Sequence, residues 1–327
     1  MVLLTWFFCS GPKISYASKQ IIKEVINNDL PELIEGETGI ITNNGYQIWY
    51  ECKTPDINTY ETVLFIFGAG GSALEWPPSF LKKFINNGFQ IIRYDQRDTG
   101  FSKPLVFDNQ IYTLDDLGKD VVAIMDKRAI EKAHIIGLSM GGMVAQEIAI
   151  QFPSRVKSLT LIMTSGDVTA SDLPSMTSLH FFGRFARGLP LLRYRLFGGE
   201  LNLVKERIAG LMLHMNESDI NVKETAEMVL YDLRNRAGVN IKTSIKHQKI
   251  VAKSVPRYTR IENINIPTLV VHGTKDTLIP IEHGKKLAEK IKGSSVLWLD
   301  GIGHMFPLPD MENFCMKLIE FLKEVKK

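Results

Sequence analysis

The chain has 327 residues, 45% hydrophobic and 23% charged, a globular composition with room for one large α/β domain or for a core domain carrying an inserted subdomain. Its 39 basic and 36 acidic residues leave a net charge of +3, too even and too interspersed for a surface that binds nucleic acid or an anionic membrane. The three cysteines Cys9, Cys52 and Cys315 form no Cys-x-x-Cys pair and argue against a disulfide scaffold or zinc ribbon, and no run of about 18 apolar residues predicts a transmembrane helix.

Residues 1–37 read as an N-terminal extension. Val2 to Cys9 is apolar and Ser15-Tyr16-Ala17 has the small-x-small form of a cleavage site, but no Lys or Arg precedes the apolar run, and Pro12 and Lys13 interrupt the chain between the two. The expected location is cytoplasmic, with a secreted or periplasmic one as the alternative that this weak signal would imply. Residues 18–30 read as a short helix with Ile21, Ile22, Val25 and Ile26 on one face.

From residue 38 the pattern changes. Gly39–Thr42 and Tyr46–Tyr50 are strand-like and are joined by Asn43-Asn44-Gly45, a strong hairpin signal. Six continuously apolar runs come next: Thr62–Phe67, Gln90–Tyr94, Ala133–Gly137, Ser158–Met163, Thr268–His272 and Ser295–Leu299. Runs without alternation are the mark of strands buried on both faces, hence of a parallel sheet between helices. Helical patterns lie between them at Phe80–Asn87, Leu114–Lys127, Met140–Phe152 and Ile281–Ile291, and Met311–Val325 closes the chain. Between Ser158–Met163 and Thr268–His272 no strand returns. Residues 167–262 are helical in pattern and rich in Met, Leu and Arg, too long for a loop, and read as an inserted helical cap on a core formed by residues 38–166 and 263–327.

Gly137-Leu138-Ser139-Met140-Gly141 is a G-x-S-x-G motif between a buried strand and a helix, the context the motif requires. The turn is so sharp that the neighbours of the serine must lack side chains, and it lifts the Ser139 hydroxyl to a helix N-terminus that favours a developing anion. A serine is a poor nucleophile without a base. Of seven histidines, His134 and His272 fall in buried strands and read as packing residues; His180, His214 and His247 fall in the cap; His283 lies in a helix; His304 lies in the loop after the last strand, where this architecture places ligands. The base needs an orienting carboxylate. Asp276, after the run Thr268–His272, gives the chain order Ser, Asp, His; Asp167, after Ser158–Met163, is the competing acid, and Asp300 is too close to His304 in sequence. The oxyanion donors expected are the N–H of Met140 and that of Ala69, in the small-residue loop 67–72, with Gly70 beside it. No G-x-G-x-x-G opens a helix and no Walker pattern exists, so this loop is not a phosphate cradle. No His/Cys/Asp group has ligand spacing, so no metal is expected.

The stretches FGAGGSALEWP (67–77), IIRYDQRDTGFS (91–102), GLSMGGMVAQ (137–146), PTLVVHGTKD (267–276) and GIGHMFP (301–307) together resemble an α/β-hydrolase, and within that superfamily they are most similar to the group containing aclacinomycin methylesterase. The resemblance covers roughly residues 38–325 and is weakest in the cap. It implies a serine hydrolase with a helical cap over the pocket and no cofactor. Ser139, Asp276 and His304 match the triad positions, and Ala69 and Met140 the oxyanion positions. Phe67-Gly68 stands where His-Gly is usual in the superfamily, although the methylesterase group also lacks that histidine.

The expected fold is thus α/β, a mostly parallel central sheet with an N-terminal antiparallel hairpin and an inserted helical cap. The expected activity is hydrolysis of small or medium carboxylic esters through an acyl-enzyme. A proline iminopeptidase-like peptidase, a cofactor-free perhydrolase and a slow ligand receptor would use the same triad. Gly70, Trp76 and Phe306 are candidate substrate-binding residues, with Met140, Met212 and Met215 as further pocket walls. The charged loop Asp95–Gly100 reads as structural, holding the active-site edge of the sheet. The partner expected is a small-molecule ester; the oligomeric state is open.

Overall fold

The computed structural model describes residues 11–57, 60–106, 111–174, 189–213, 215, 217–236, 238, 240–304 and 311–325. Its strands are β1 (Glu37–Asn43), β2 (Tyr46–Lys53), β3 (Glu61–Ile66), β4 (Phe89–Tyr94), β5 (Lys103–Pro104), β6 (Ala133–Leu138), β7 (Val156–Ile162), β8 (Thr268–Gly273) and β9 (Ser295–Leu299). They form one sheet in the order β1-β2-β4-β3-β6-β7-β8-β9, with the short β5 on β2, a strand that the sequence pattern does not reveal. β1 and β2 are antiparallel, and β2 is antiparallel to β4; every neighbour pair from β4 through β9 is parallel. The hairpin closes with Asn43 opposite Tyr46. Asn44 and Gly45 have φ of +44° and +78°, the paired positive values of a type I′ turn.

The helices of the core are α2 (Pro78–Asn86), α3 (Leu114–Lys127), α4 (Met140–Gln151), α10 (Ile281–Lys290) and α11 (Met311–Glu324). Alternate residues of each central strand point to opposite layers. Leu64 and Ile66 of β3 pack with Val121 of α3 and Val144 of α4, whereas Val63 and Phe65 pack with Phe80 of α2 and Leu318 of α11. Two-sided burial is why these strands read as unbroken apolar runs. The start of α3 is fixed locally: the Thr113 hydroxyl accepts from the Asp116 N–H, and the Asp116 carboxylate accepts from the Thr113 N–H, a capping box.

Between β7 and β8 the chain forms α5 (Leu192–Phe197), α6 (Glu200–Leu211), α7 (Val222–Asn235), α8 (Ile241–Ala252) and α9 (Tyr258–Ile261). The N-terminal helix α1 (Tyr16–Asn27), capped by Ser15, docks on this insertion: Ile14, Ile22 and Val25 share a core with Val204, Ile208 and Leu230. Met212 and Met215, expected in a pocket wall, pack around this same cluster, because the apolar faces of α1, α6 and α7 converge there. Among the described residues, no helix is long and apolar enough to cross a membrane.

Candidate active site

β6 ends at Leu138 and α4 begins at Met140, so a single residue, Ser139, makes the turn. It does so at φ +55°, ψ −120°, a backbone conformation costing of order 1–3 kcal/mol that only firm surroundings can hold. Those surroundings are visible. The Ser139 N–H donates to the Ile162 carbonyl at 2.9 Å, and its own carbonyl accepts from the Gly142 N–H at 2.9 Å and the Thr164 hydroxyl at 2.7 Å. A Cβ on Gly137 would strike the Gly141 backbone, and one on Gly141 would strike the Ile66 carbonyl, so both flanking positions demand glycine for space. Thr164 has no local sequence signature, and the motif does not point to it.

Two loops at the same end of the sheet bring the other groups in. Asp276 follows β8 and His304 follows β9, and the loops are stitched by Lys275 N–H to Ile302 O at 2.9 Å and Gly301 N–H to Thr274 Oγ1 at 2.9 Å. His304 Nε2 lies 3.0 Å from Ser139 Oγ, and His304 Nδ1 lies 2.7 Å from Asp276 Oδ2. Burial alone would push the Asp276 carboxyl up, but hydrogen bonds from His272 and His304 and the Ile279 N–H outweigh it and hold the group well below the usual carboxylate range. An ionised carboxylate can only accept, so His304 carries its proton on Nδ1 and offers the Nε2 lone pair to the serine hydroxyl.

The competing acids are elsewhere. Asp167 accepts from the Thr169 N–H at 2.8 Å in a local turn, and Asp300 accepts from Thr274 Oγ1 at 3.0 Å. Of the remaining described histidines, His134 bonds Ser158 and Glu61, and His283 bonds Ser165 and the Pro174 carbonyl. His272 is more than packing: buried in β8, it bonds the Ile279 carbonyl at 2.8 Å and stands 3.4 Å from Asp276 Oδ2. His180 and His214 lie outside the described residues.

The loop after β3 passes directly over the serine: a Cβ on Gly68 would sit 3.3 Å from Ser139 Cβ and 3.8 Å from its Oγ. No acceptor among the described residues takes the N–H of Ala69 or of Met140. Gln96 Nε2 donates to the Phe67 and Gly68 carbonyls at 2.6 and 3.3 Å. The N–H of Gly70, a candidate substrate-binding residue, is by contrast engaged by His247 Nδ1 of α8 at 3.0 Å. Trp76 is not an exposed wall: it is wholly buried and stacks on Phe80 at 5.5 Å, because the short 3-10 turn before α2 aims it into the aromatic layer around Phe65. Phe306 lies outside the described residues.

The loop Asp95–Gly100 joins this edge to the insertion. Arg97 grips Asp120 of α3 through Nε to Oδ2 at 2.7 Å and Nη2 to Oδ1 at 2.8 Å, both side chains buried. Asp95, also buried, is ion-paired with Arg236, whose guanidinium lies over the rings of Trp49 and Phe101 at 4.7 and 4.6 Å. Removing one partner of a buried pair strands the other charge, so Asp120→Ala is expected to destabilise the protein by about 3–5 kcal/mol. Urea unfolding midpoints measure it; a midpoint equal to wild type would show that Arg97 is not held in solution as it is here.

A family model described as the alpha/beta hydrolase fold matches residues 61–310. The chain is 26% identical over 283 residues to rhodomycin D methylesterase DauP of Streptomyces sp. (strain C5), a match covering 83% of this chain and 93% of that protein. Among solved structures it superposes on the esterase RhEst1 from Rhodococcus sp. ECU1013 with a TM-score of 0.66 at 18% identity, covering 88% of this chain and 98% of the other. It superposes on the meta-cleavage product hydrolase CumD from Pseudomonas fluorescens IP01 with a TM-score of 0.65 at 21% identity, covering 88% and 97%. At those identities the two structures speak to the fold alone.

Proposed function

We propose that this chain, which belongs to the alpha/beta hydrolase fold family, is a serine hydrolase that cleaves carboxylic esters of small or medium organic molecules through an acyl-enzyme. The observation that carries this reading is the unbroken hydrogen-bond chain from Ser139 Oγ through His304 to Asp276, set beneath two backbone N–H groups that no acceptor among the described residues takes. His304 Nε2 takes the hydroxyl proton as Ser139 Oγ attacks the ester carbonyl, and the N–H groups of Ala69 and Met140 receive the oxyanion. The protonated imidazole returns its proton to the departing alkoxide oxygen, releasing the alcohol. A water then gives a proton to His304, attacks the acyl carbon, and the acid leaves as the serine regains its hydrogen. Asp276 stays ionised and fixes the imidazole tautomer throughout.

In this reading residues 167–262 are a cap, and the helix α8 resting on the Gly70 loop is its floor contact. Likeness to a methylesterase supports esters over amides as the substrate class. A covered pocket meets its substrate on several sides and suits a bounded organic ester rather than a micelle surface. Rates on soluble esters of increasing acyl length, taken across the critical micelle concentration, are therefore expected to show no jump at that concentration. A sharp rise there with little activity on monomers would instead point to a lipase. Absence of any acetyl-enzyme or nitrophenol release in a single-turnover reaction with p-nitrophenyl acetate would favour a ligand receptor.

A further inference from the structure

His247 sits in the middle of α8 with no exposed surface, far in sequence from every group named in the mechanism, yet its ring ends on the oxyanion loop. Both nitrogens are used. Nδ1 lies 3.0 Å from the Gly70 nitrogen; Nε2 lies 3.0 Å from the Arg97 carbonyl and 2.9 Å from the Tyr112 hydroxyl. A backbone N–H can only donate and a backbone carbonyl can only accept, so Nδ1 must be the bare nitrogen and Nε2 must carry the hydrogen. The ring is therefore a neutral, oriented acceptor for Gly70. Burial pushes its imidazolium pKa down to about 4, so the acceptor is preserved at neutral pH.

The bond falls at a decisive place in the chain. Peptide units are planar, so fixing one polar atom fixes the direction of the other. The unit Gly68–Ala69 has its carbonyl held by Gln96 Nε2 and by the Gly71 N–H at 3.3 Å, which leaves the Ala69 N–H pointing the opposite way. The next unit, Ala69–Gly70, has its N–H held by His247. Ala69 joins the two units and Gly70 follows at φ +76°, a conformation glycine enters and leaves easily, so without an external tie the Ala69–Gly70 unit could flip and open the turn that the Gly71 N–H closes on the Gly68 carbonyl. Ser244 of the same helix closes the space where a Gly70 side chain would stand, and Thr243 and Lys246 bind the backbone and carboxylate of Asp98, so α8 is itself nailed to the loop that holds Gln96.

Resting on the hydrolase reading above, we infer that His247 is a positioning residue of the oxyanion hole, an imidazole lent by the helical insertion that holds the Ala69–Gly70 peptide and so keeps closed the Gly68–Gly71 turn in which the neighbouring Gly68–Ala69 unit aims the Ala69 N–H at the reacting carbonyl oxygen. It touches neither substrate nor serine. Its effect is confined to the stage at which negative charge appears on that oxygen, so it acts on turnover and not on ground-state binding.

The test compares His247→Phe, which keeps a ring but offers no acceptor, with His247→Asn, whose Oδ1 can stand near the Nδ1 position and accept. Active sites are counted by complete labelling with a fluorophosphonate, and kcat and KM for p-nitrophenyl acetate are expressed per labelled site. His247→Phe is expected to lower kcat by about 10- to 100-fold, short of the about 10²–10³ for losing an oxyanion donor outright, with KM within about twofold. Affinity for an arylboronic acid, which forms a tetrahedral adduct on the serine, should fall by a similar factor, and His247→Asn should recover part of both. A purely structural role would reduce the number of labelled sites and leave kcat per site unchanged; that result overturns the inference. Hydrogen exchange on the wild-type protein supplies a check that needs no variant: the Gly70 amide should be protected, and free exchange at Gly70 would equally overturn it. Should Ser139 prove unreactive to the fluorophosphonate, the hydrolase reading falls first, and protection of Gly70 would be unaffected.

Discussion

Ser139→Ala is expected to lower ester turnover by roughly 10⁵- to 10⁶-fold, a loss of about 7–8 kcal/mol in transition-state stabilisation, while the protein stays folded. The two expectations come from different features of the same turn. The hydroxyl oxygen is the group that forms the covalent bond, and His304 Nε2, 3.0 Å away, has no other nucleophile in hand once it is gone. The residue's backbone is held by the Ile162 carbonyl, the Gly142 N–H and Thr164, none of which touches the hydroxyl. Alanine has the same Cβ and meets the same unfavourable φ, so the strain is neither relieved nor increased. Residual hydrolysis about 10³-fold or more above the uncatalysed rate should persist, because the N–H groups of Ala69 and Met140 remain. Thermal melts and circular dichroism should overlay wild type, and fluorophosphonate labelling should vanish. Turnover in the purified variant within tenfold of wild type would remove Ser139 from the mechanism.

How much of this is legible in the sequence depends on whether the signal is local. The elbow is, because a sharp strand-to-helix turn must exclude side chains two residues before and two residues after the serine, and Gly137 and Gly141 record that. The hairpin is, because Asn44-Gly45 can adopt paired positive φ. The strand runs are for β3, β4, β6, β7 and β8, because burial on both faces leaves no room for alternation; β9 reads the same way but is an edge strand, exposed or half-buried along its length, so its run does not record two-sided burial. Choosing between two acids is harder: Asp167 and Asp276 each follow a strand. Sheet order decides it. β9, which leads to His304, pairs with β8 and not with β7, so only the β8 loop adjoins the imidazole.

Contacts between segments far apart in the chain are not legible. Trp76 sits next to the loop after β3 in sequence, but the direction of its ring depends on Phe65 and Phe80, which draw it inward. The apolar face of the N-terminal helix can be read, yet nothing in it names α6 and α7 as its cover. Met212 and Met215 accordingly read as pocket wall and belong to that other surface. His247 is the clearest case. A histidine in a helix of mixed composition has no local signature, and its meaning emerges only when α8 is laid against Gly70, 177 residues earlier.

Asp276→Asn is expected to cost about 10⁴-fold in kcat, or about 5–6 kcal/mol, and Asp167→Asn no more than a few-fold. The size of the first effect follows from which way an asparagine must sit. Asp276 Oδ1 accepts from the N–H groups of Leu278 and Ile279, each at 2.9 Å, and Oδ2 faces His304. The two backbone donors require an oxygen at the first position, so the amide nitrogen of an asparagine is forced into the second, pointing its hydrogens at His304 Nδ1. The imidazole then has to accept at Nδ1 and carry its proton on Nε2, aimed at the Ser139 hydroxyl, where a lone pair is needed. The variant keeps its loop and its fold and holds the wrong tautomer. Lowering the pH of the wild-type enzyme through the usual carboxylate range does not reproduce this state, since the carboxyl is held well below that range. Among the described residues, the Asp167 carboxylate receives only the Thr169 N–H and hydroxyl, contacts an asparagine oxygen can also accept, which is why its substitution should be nearly silent. Steady-state kinetics on one soluble ester with both purified variants settle the ranking, and a larger loss at Asp167 than at Asp276 would transfer the orienting acid from the β8 loop to the β7 loop.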